Sequence, residues 1–300
     1  MNKTSIEWTD YTSNPLRARN IETGKAGHFC ERVSPGCAHC YASEWNEKRY
    51  GTGVSFLPAN RGRIETYLVE AELQEWQKPK YAGARVFVSD MTDLFGEWVP
   101  DEWLDRIFGA MALASAVTFQ VLTKRPEQMR AYFADKDLWF KVKIAAANMK
   151  DDDPGLLPWP LPNIWLGVSV ENQRWADERI PILLDTPAAV RFLSCEPLLG
   201  PVDLTGDFAR YSEAGLIARD ETGYFEPHVW ALAKNAISWV IVGGESGPKH
   251  RPFDPDWARS TVAQCRKAGV ACFVKQLGGA RPGNRIFELP PDLRVREFPR

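Results

Sequence analysis

The chain has 300 residues, 44% of them apolar and 25% charged, and its 37 Lys plus Arg against 39 Asp plus Glu leave a formal charge of -2. That composition excludes a disordered or fibrous chain, a strongly basic nucleic-acid coat and a polyacidic tail. A chain of this length buries roughly 75% of the surface its unfolded form exposes, and 1–300 reads as a single domain. In chain order, 6–12 (IEWTDYT) reads as a short first strand, followed by a loop with three cysteines and a helix over 41–49. Then come strand 85–89 (RVFVS), helix 101–115 after Pro100 with Asp101 as its cap, strand 118–123 (TFQVLT) and helix 126–135 opening on Pro126. Strand 164–168 (IWLGV), helix 173–184, strand 190–195 (VRFLSC) and strand 239–243 (WVIVG) follow. Helix 255–268, with Asp254 before Pro255, and strand 271–275 (ACFVK) complete the series.

Each strand is nearly continuous in apolar residues, as a strand covered on both faces should be. Strand, helix, strand at this spacing is the grammar of a parallel sheet. Counting the N-terminal unit, about seven repeats predict an α/β fold, a (βα) barrel, complete or partial, of about six to eight parallel strands. Residues 136–163 and 200–232 break the rhythm and read as surface insertions, the second as a small hairpin or lid. The longest apolar runs, such as 237–242, are far short of the roughly 20 residues a bilayer requires. The polar N-terminus has no basic segment followed by an apolar one, so a cytoplasmic protein without membrane contact is expected.

A parallel α/β fold carries its site at the carboxyl ends of the strands. Those ends hold Ser89 and Asp90, then Lys124 and Arg125, then Ser169 and Glu171. The later ones hold Cys195 and Glu196, then Gly243, Gly244 and Glu245, then Lys275. Helix capping and solubility explain any one of them; carboxylates and cations converging on one mouth explain the set, and suit a zwitterionic or polyfunctional ligand. Gly243 and Gly244 let backbone N–H groups approach a ligand, or form a tight turn without one. They lack the GxGxxG spacing of a dinucleotide fingerprint. Asp90, Cys195 and Glu196 are the candidate catalytic residues, with Cys195 read more readily as a small buried residue. Cys265 and Cys272 read as packing.

Three of the six cysteines, Cys30, Cys37 and Cys40, fall within 11 residues of a loop rich in Gly, Pro and charge. Pro35-Gly36 supplies a turn that returns Cys30 toward the CxxC pair, and the leading reading is a metal site. Structural zinc asks for four ligands; His39 lies awkwardly between two of the cysteines and His28 is cramped against the third. The other candidate is a [4Fe–4S] cluster on three thiolates, whose fourth iron is open to the amine and carboxylate of S-adenosylmethionine. Lys275 or Arg125 would then meet the methionyl carboxylate, and Ser169 or Glu171 the ribose hydroxyls. Ser89, Lys124, Gly243, Gly244 and Glu245 complete the candidate cofactor residues of the rim. Two further readings compete. One is a zinc-stabilised nucleic-acid-binding module using Arg17, Arg19, Arg32, Arg49, Arg61 and Arg63, although Glu22, Glu31, Glu44 and Glu47 offset those cations. The other is an α/β hydrolase-like or metal-dependent enzyme using Asp90, Asp93 and Glu196, which lacks a nucleophile elbow and any HExxH pattern.

Several strings carry a family resemblance: 6–10 (IEWTD) with Asn14-Pro15, VSPGCAHCYA (33–42), VFVSDMTDLF (86–95), LTKRPE (122–127), WLGVSVEN (165–172), SCEPLLGP (194–201), IVGGESG (241–247) and FVKQLGG (273–279). They span about 270 residues, and with them the chain resembles the phage Gp37/Gp68-like family of uncharacterised proteins, which is related to radical S-adenosylmethionine enzymes. The resemblance implies a cluster on Cys30, Cys37 and Cys40, reductive cleavage of S-adenosylmethionine and an electron donor such as flavodoxin or ferredoxin. It names no substrate; a small molecule or a nucleic-acid base are both open. His39, just before the last cysteine, or Tyr41 would stack on adenine. The chain departs from the superfamily's CxxxCxxC in having six residues between Cys30 and Cys37. It departs from the nearer family in the long stretch 16–29 and in Ser13, where a Trp is expected.

Overall fold

The computed structural model describes residues 1–150, 155–204, 236–280 and 286–299. They fall into two compact units, Met1–Leu166 and Gly167–Arg300. The first contains β1 (Asn2–Lys3), β2 (Tyr11–Ser13), β3 (Leu16–Asn20), β4 (Ala26–Gly27), α1 (Tyr41–Lys48), β5 (Ile64–Leu68) and α2 (Glu70–Glu75). It continues with β6 (Arg85–Val88), α3 (Asp101–Leu113), β7 (Thr118–Thr123), α4 (Pro126–Phe133) and α5 (Leu138–Lys150), and ends within β8 (Ile164–Ser169). The second unit holds the rest of β8, then α6 (Gln173–Leu184), β9 (Val190–Cys195), β10 (Trp239–Gly243), α7 (Pro255–Ala268) and β11 (Ala271–Gln276).

The main sheet has eight strands. In the first unit the order is β1-β2-β6-β7-β8, in the second β8-β9-β10-β11. The β1–β2 pair is antiparallel, whereas β2–β6, β6–β7, β9–β10 and β10–β11 are parallel. β1 ends the order in the first unit and β11 ends it in the second. The apolar runs of the sequence became these strands because both of their faces are covered: every residue of β10 is buried, as are Val86, Phe87 and Val88 of β6. The helix starts follow local chemistry. Asn172 caps α6 by accepting from the Trp175 N–H at 3.3 Å, and Asp254 caps α7 ahead of Pro255. Gly269, at φ 70°, closes α7 in the left-handed conformation. Asp101 does not cap α3; Pro100 stands at that position, and Asp101 and Glu102 occupy the first turn, where they complement the helix dipole.

Three stretches differ from the sequence reading. The first strand forms over Tyr11–Ser13, later than expected, because 6–9 closes a turn in which the Thr9 N–H reaches the Ile6 carbonyl. The long stretch 16–29 is not a plain link: β3 pairs antiparallel with β4 and with β5, a second, three-stranded sheet. Residues 136–163, expected as a surface insertion, contain α5, which buries Leu138, Val142, Ala145 and Ala146. The backbone nitrogen of Ala146 lies so close to Gly109 of α3 that a Cβ there would meet it at 2.9 Å. Most of the expected hairpin or lid at 200–232 lies outside the described residues.

Gly167 on β8 shows how tightly the second unit is packed: a Cβ at that position would lie 2.6 Å from three atoms of the Phe192 ring. Gly167→Ala is therefore expected to cost roughly 1–3 kcal/mol by overpacking. Equilibrium denaturation of Gly167→Ala, Phe192→Leu and the double variant checks this, the double variant being more stable than the sum of the two single losses.

Candidate metal centre

Cys30, Cys37 and Cys40 are free thiols in the first unit, each on a half-buried residue. Cys37 ends a short 3-10 turn that Pro35 and Gly36 begin, and Cys40 stands at the N-cap of α1. Cys30 and Cys40 pack against one apolar cluster made by Ala18, Phe29, Ala42 and Phe56, with Met91 and Trp98 beside it. The three sulfurs share an electrostatic neighbourhood. Burial pushes the Cys30 thiol well up, and the negative charges of Asp93, Cys40 and Cys37 add to that rise while Arg125 opposes it. Burial also raises Cys40, with Lys124 pulling it back. Among the described residues, no group of three His, Cys, Asp or Glu side chains is set at the spacing that holds a single metal ion.

Two hydrogen-bond centres hold this loop. Asn46, buried on α1, accepts from the His28 N–H at 2.8 Å and from the Thr52 N–H at 3.3 Å, and donates to the Thr52 hydroxyl and the Val54 carbonyl, both at 2.8 Å. It thus ties the helix that begins after Cys40 to the strand that leads into Cys30. The second centre is Asp93. Its carboxylate accepts from the Thr123 hydroxyl at 2.7 Å, the Phe95 N–H at 3.1 Å, the Lys124 N–H at 3.0 Å and Arg125 Nη1 at 3.0 Å. Arg125 Nη2 in turn donates to the carbonyl of Glu31 at 2.9 Å. The Thr92 hydroxyl donates to the Phe29 carbonyl. The peptide before Cys30 and the one after Glu31 are thereby fastened to the loops that follow β6 and β7. Neither Asn46 nor Asp93 was singled out from the sequence as a structural centre, because their partners lie in other segments of the chain.

The histidines bear on the choice of metal. His28 is buried, and its Nε2 lies 2.9 Å from Arg17 Nη1. Arginine only donates, so Nε2 accepts and its lone pair is taken. Burial and the Arg17 charge bring His28 down to about 4, which keeps the ring neutral. His39 is exposed.

Asp90 follows Ser89 at the end of β6. Ser89 is buried in the left-handed region at φ 63°, a conformation that costs a non-glycine residue of order 1–3 kcal/mol, and its buried Oγ has no hydrogen-bond partner among the described residues. The Asp90 carboxylate accepts from Asn14 Nδ2 at 2.6 Å and from the Tyr41 hydroxyl at 3.1 Å; that hydroxyl also reaches the Asp90 carbonyl at 3.0 Å. Burial raises the Asp90 carboxyl above the usual range, with Asn14 and Tyr41 opposing the rise. Tyr41 thus joins the residue after Cys40 to the rim.

The remaining rim residues lie in the second unit and are arranged in ion pairs. Glu171 (0% exposed) and Arg179 (1%) pair at 2.9 Å; Arg179 also donates to the Ser169 carbonyl at 2.8 Å and stacks on Trp175. Lys275 pairs with Glu196. Arg251 holds Glu245 through Nε at 3.0 Å and Nη2 at 2.7 Å. The glycines are explained by their neighbours: a Cβ at Gly243 would meet the Glu196 carboxyl carbon at 3.2 Å, and one at Gly244 would meet the Leu277–Gly278 backbone at 2.6 Å. Cys195 is fully buried, its thiol pushed up by burial with Cys272 and Glu171 nearby. In the first unit the cations proposed for nucleic acid are largely engaged. Arg61 forks onto Glu31 at 2.6 and 2.9 Å and reaches Glu97 at 3.0 Å, Arg63 pairs with Glu22 at 3.3 Å, and Arg17 lies 3.6 Å from Glu72.

The raised Asp90 carboxyl fixes the sign of a pH effect. The folded state takes up this proton before the unfolded state does, so wild-type stability rises as pH falls from neutral toward the ordinary carboxylate range, and that gain is lost as pH rises through the folded value. Asp90→Asn removes the ionisable group, and its amide would still accept from Asn14 and donate to Tyr41. The melting temperature of Asp90→Asn is expected to equal or exceed that of the wild type at pH 7, and the difference to shrink as the pH is lowered; thermal melts across that range check it.

The sequence profile of the family described as Protein of unknown function (DUF5131) matches residues 3–289. No curated protein and no solved structure matches the chain. The profile match runs through the thiol loop, Asp90 and the ion-paired rim residues alike, and the chain belongs to the DUF5131 family.

Proposed function

We propose that this protein is a radical S-adenosylmethionine-like enzyme built on a partial (βα) barrel, with Cys30, Cys37 and Cys40 as the ligands of a [4Fe–4S] cluster. The observation that carries the reading is the thiol group itself. Three sulfurs share one electrostatic neighbourhood beside the ends of β6 and β7, with the cations Arg125 and Lys124 opposing the rise of Cys30 and Cys40, while the Nε2 lone pair of buried His28 is taken by Arg17. A donor set of three thiolates without that imidazole fits a cluster with one open iron better than a closed zinc cage. When bound, such a cluster supplies one electron to the sulfonium of S-adenosylmethionine and so breaks a C–S bond, starting hydrogen abstraction from a substrate.

The residues of the chain have separate tasks in this reading. Asn46 and Asp93 hold the cysteine loop in place. Asp90, tied to Tyr41, is a half-buried carboxyl whose hydrogen bonds come from neutral groups, and it carries or accepts a proton beside the thiol group. Exposed Tyr41 or exposed His39 would stack on the adenine. The substrate is a small molecule or a nucleic-acid base or nucleotide, and a flavodoxin- or ferredoxin-type donor supplies the electron.

Protein purified without oxygen is expected to be brown, to contain about four iron and four sulfide per chain, and to change its visible spectrum on addition of S-adenosylmethionine. Cys30→Ala, Cys37→Ala and Cys40→Ala should each remove most of that iron, measured by metal and acid-labile sulfide analysis. One zinc per chain with no iron or sulfide in the anaerobic wild type would reject the proposal.

A further inference from the structure

Helix α1 buries Ala42, Ser43 and Asn46 and leaves aromatic rings on its outer side. Tyr41 and Trp45, one turn apart and so on one stripe of the helix, are 51% and 46% exposed. Tyr50, just past the helix end, is 82% exposed, and its ring centre lies 6.0 Å from that of Trp45. The Arg49 guanidinium carbon lies 5.4 Å from the centre of the Trp45 ring. The backbone that carries these groups is held in place. The N–H groups of Arg49 and Tyr50 both donate to the Trp45 carbonyl, at 3.1 and 3.2 Å. Gly51 then packs so closely on Asn46 that a Cβ there would lie 2.3 Å from its Oδ1. A single exposed aromatic calls for no explanation; three of them with a cation, all between positions 41 and 50, do.

Charge indicates what this face takes. Lys48 is paired with Glu44 at 3.2 Å, and Glu47 lies about 200° around the helix from Trp45. Arg49 forms no ion pair among the described residues, so the face around Trp45 carries one uncompensated positive charge. The exposed residues of 41–50 include no aliphatic side chain. Aromatic faces with a cation beside them, and nothing aliphatic, suit flat bases strung on phosphates: every base has a π-face to stack, and the backbone supplies the negative charge. We infer that Trp45, Arg49 and Tyr50 form a stacking platform for single-stranded nucleic acid. The two rings are tilted by 45° to each other and offer separate faces to separate bases, with Arg49 meeting the backbone. Tyr41, whose hydroxyl lies 3.1 Å from the Asp90 carboxylate, joins this face to the candidate site. The inference names a substrate class for the enzyme proposed above and rests on that reading for what is done to the strand; the binding itself needs no cluster.

The full chain, prepared anaerobically, is titrated into fluorescein-labelled oligonucleotides of about 12 nucleotides and mixed sequence. Single-stranded DNA, single-stranded RNA and the DNA duplex are compared by fluorescence anisotropy at several salt concentrations. The wild type should bind at least one of the single strands and prefer it to the duplex, whose base faces are already stacked. Trp45→Ala and Tyr50→Ala should each weaken that binding roughly fivefold or more, the loss of one base–aromatic stack, whereas Trp45→Phe stays near the wild type. Arg49→Gln should weaken it and reduce the salt dependence by about one phosphate contact. Phe140→Ala, which removes an exposed aromatic of α5, should bind as the wild type does. Iron, sulfide and thermal melts are recorded for every variant, and Tyr50→Ala decides the matter if Trp45→Ala fails to fold. Failure of the wild type to bind either single strand overturns the inference. So do equal or tighter binding of the duplex, and wild-type affinity in Trp45→Ala, Tyr50→Ala and Arg49→Gln alike; iron in the wild type then leaves the cluster reading standing. Variants that keep full single-strand affinity but lose reduction of the cluster by a flavodoxin-type donor give the face to that protein, and overturn the inference as well. A wild type that binds single strands through Trp45 and Tyr50 but contains no iron supports the platform and rejects the cluster.

Discussion

The buried ion pair of Asp93 and Arg125 is the contact on which the geometry of the first unit's site depends. Asp93 lies in the loop after β6 and Arg125 in the loop after β7, so their contact joins two neighbouring strand ends. Burying two charges is costly, and such a pair is weak grounds for claiming net stability. What makes this one tolerable is satisfaction: the carboxylate accepts from a hydroxyl, two backbone N–H groups and the guanidinium, and the guanidinium also reaches the Glu31 carbonyl. Its consequence is positional, because the same guanidinium seats the cysteine loop. The loop's other anchor, Asn46, works by the same logic with neutral groups. It uses its amide oxygen and nitrogen to tie α1 to the strand that precedes Cys30. Gly27 and Gly51 are required there, since a Cβ at either would strike Asn46 Oδ1 at 2.5 Å or less.

Charge distribution separates the rim residues into two kinds. In the second unit, Glu171, Glu196 and Glu245 each face a cation of the same unit, Arg179, Lys275 and Arg251 respectively. Those pairs neutralise themselves and account for carboxylates that the sequence presents as a row of ligand-binding candidates. Asp90 differs. Its carboxylate is hydrogen-bonded by an amide and a phenol, and its proton is held more tightly than usual by burial. It stands next to Ser89, whose left-handed backbone, with a buried hydroxyl that has no partner among the described residues, marks local strain. Strain and a perturbed carboxyl on adjacent residues fit the chemical role proposed for Asp90 above.

The extent to which the molecule was legible in its sequence follows from the range of the interactions involved. The strands at 118–123, 190–195 and 239–243 and the helices at 173–184 and 255–268 appear where the sequence places them, because continuous apolar runs and local caps such as Asn172 and Asp254 act within a few residues. The sheet of β3, β4 and β5 did not announce itself: LRARN alternates cationic and apolar residues in a stretch that also reads as a loop, and its register partner is IETYL, more than 40 residues later. Helix α5 was hidden because exposed Phe140 and Ile144 blur the pattern of its packed face, Leu138, Val142, Ala145 and Ala146.

The sequence by itself determined the α/β class, the βα alternation, the clustering of three cysteines after the first strand and the polar character of the strand ends. All of these are properties of composition and short-range spacing. Only the tertiary structure decided which polar residues neutralise each other, that the His28 lone pair is spent on Arg17, and that Arg125 holds the Glu31 carbonyl across 94 positions of chain. Partner choice among charged groups depends on distance and desolvation in three dimensions, and neither can be read from residue order.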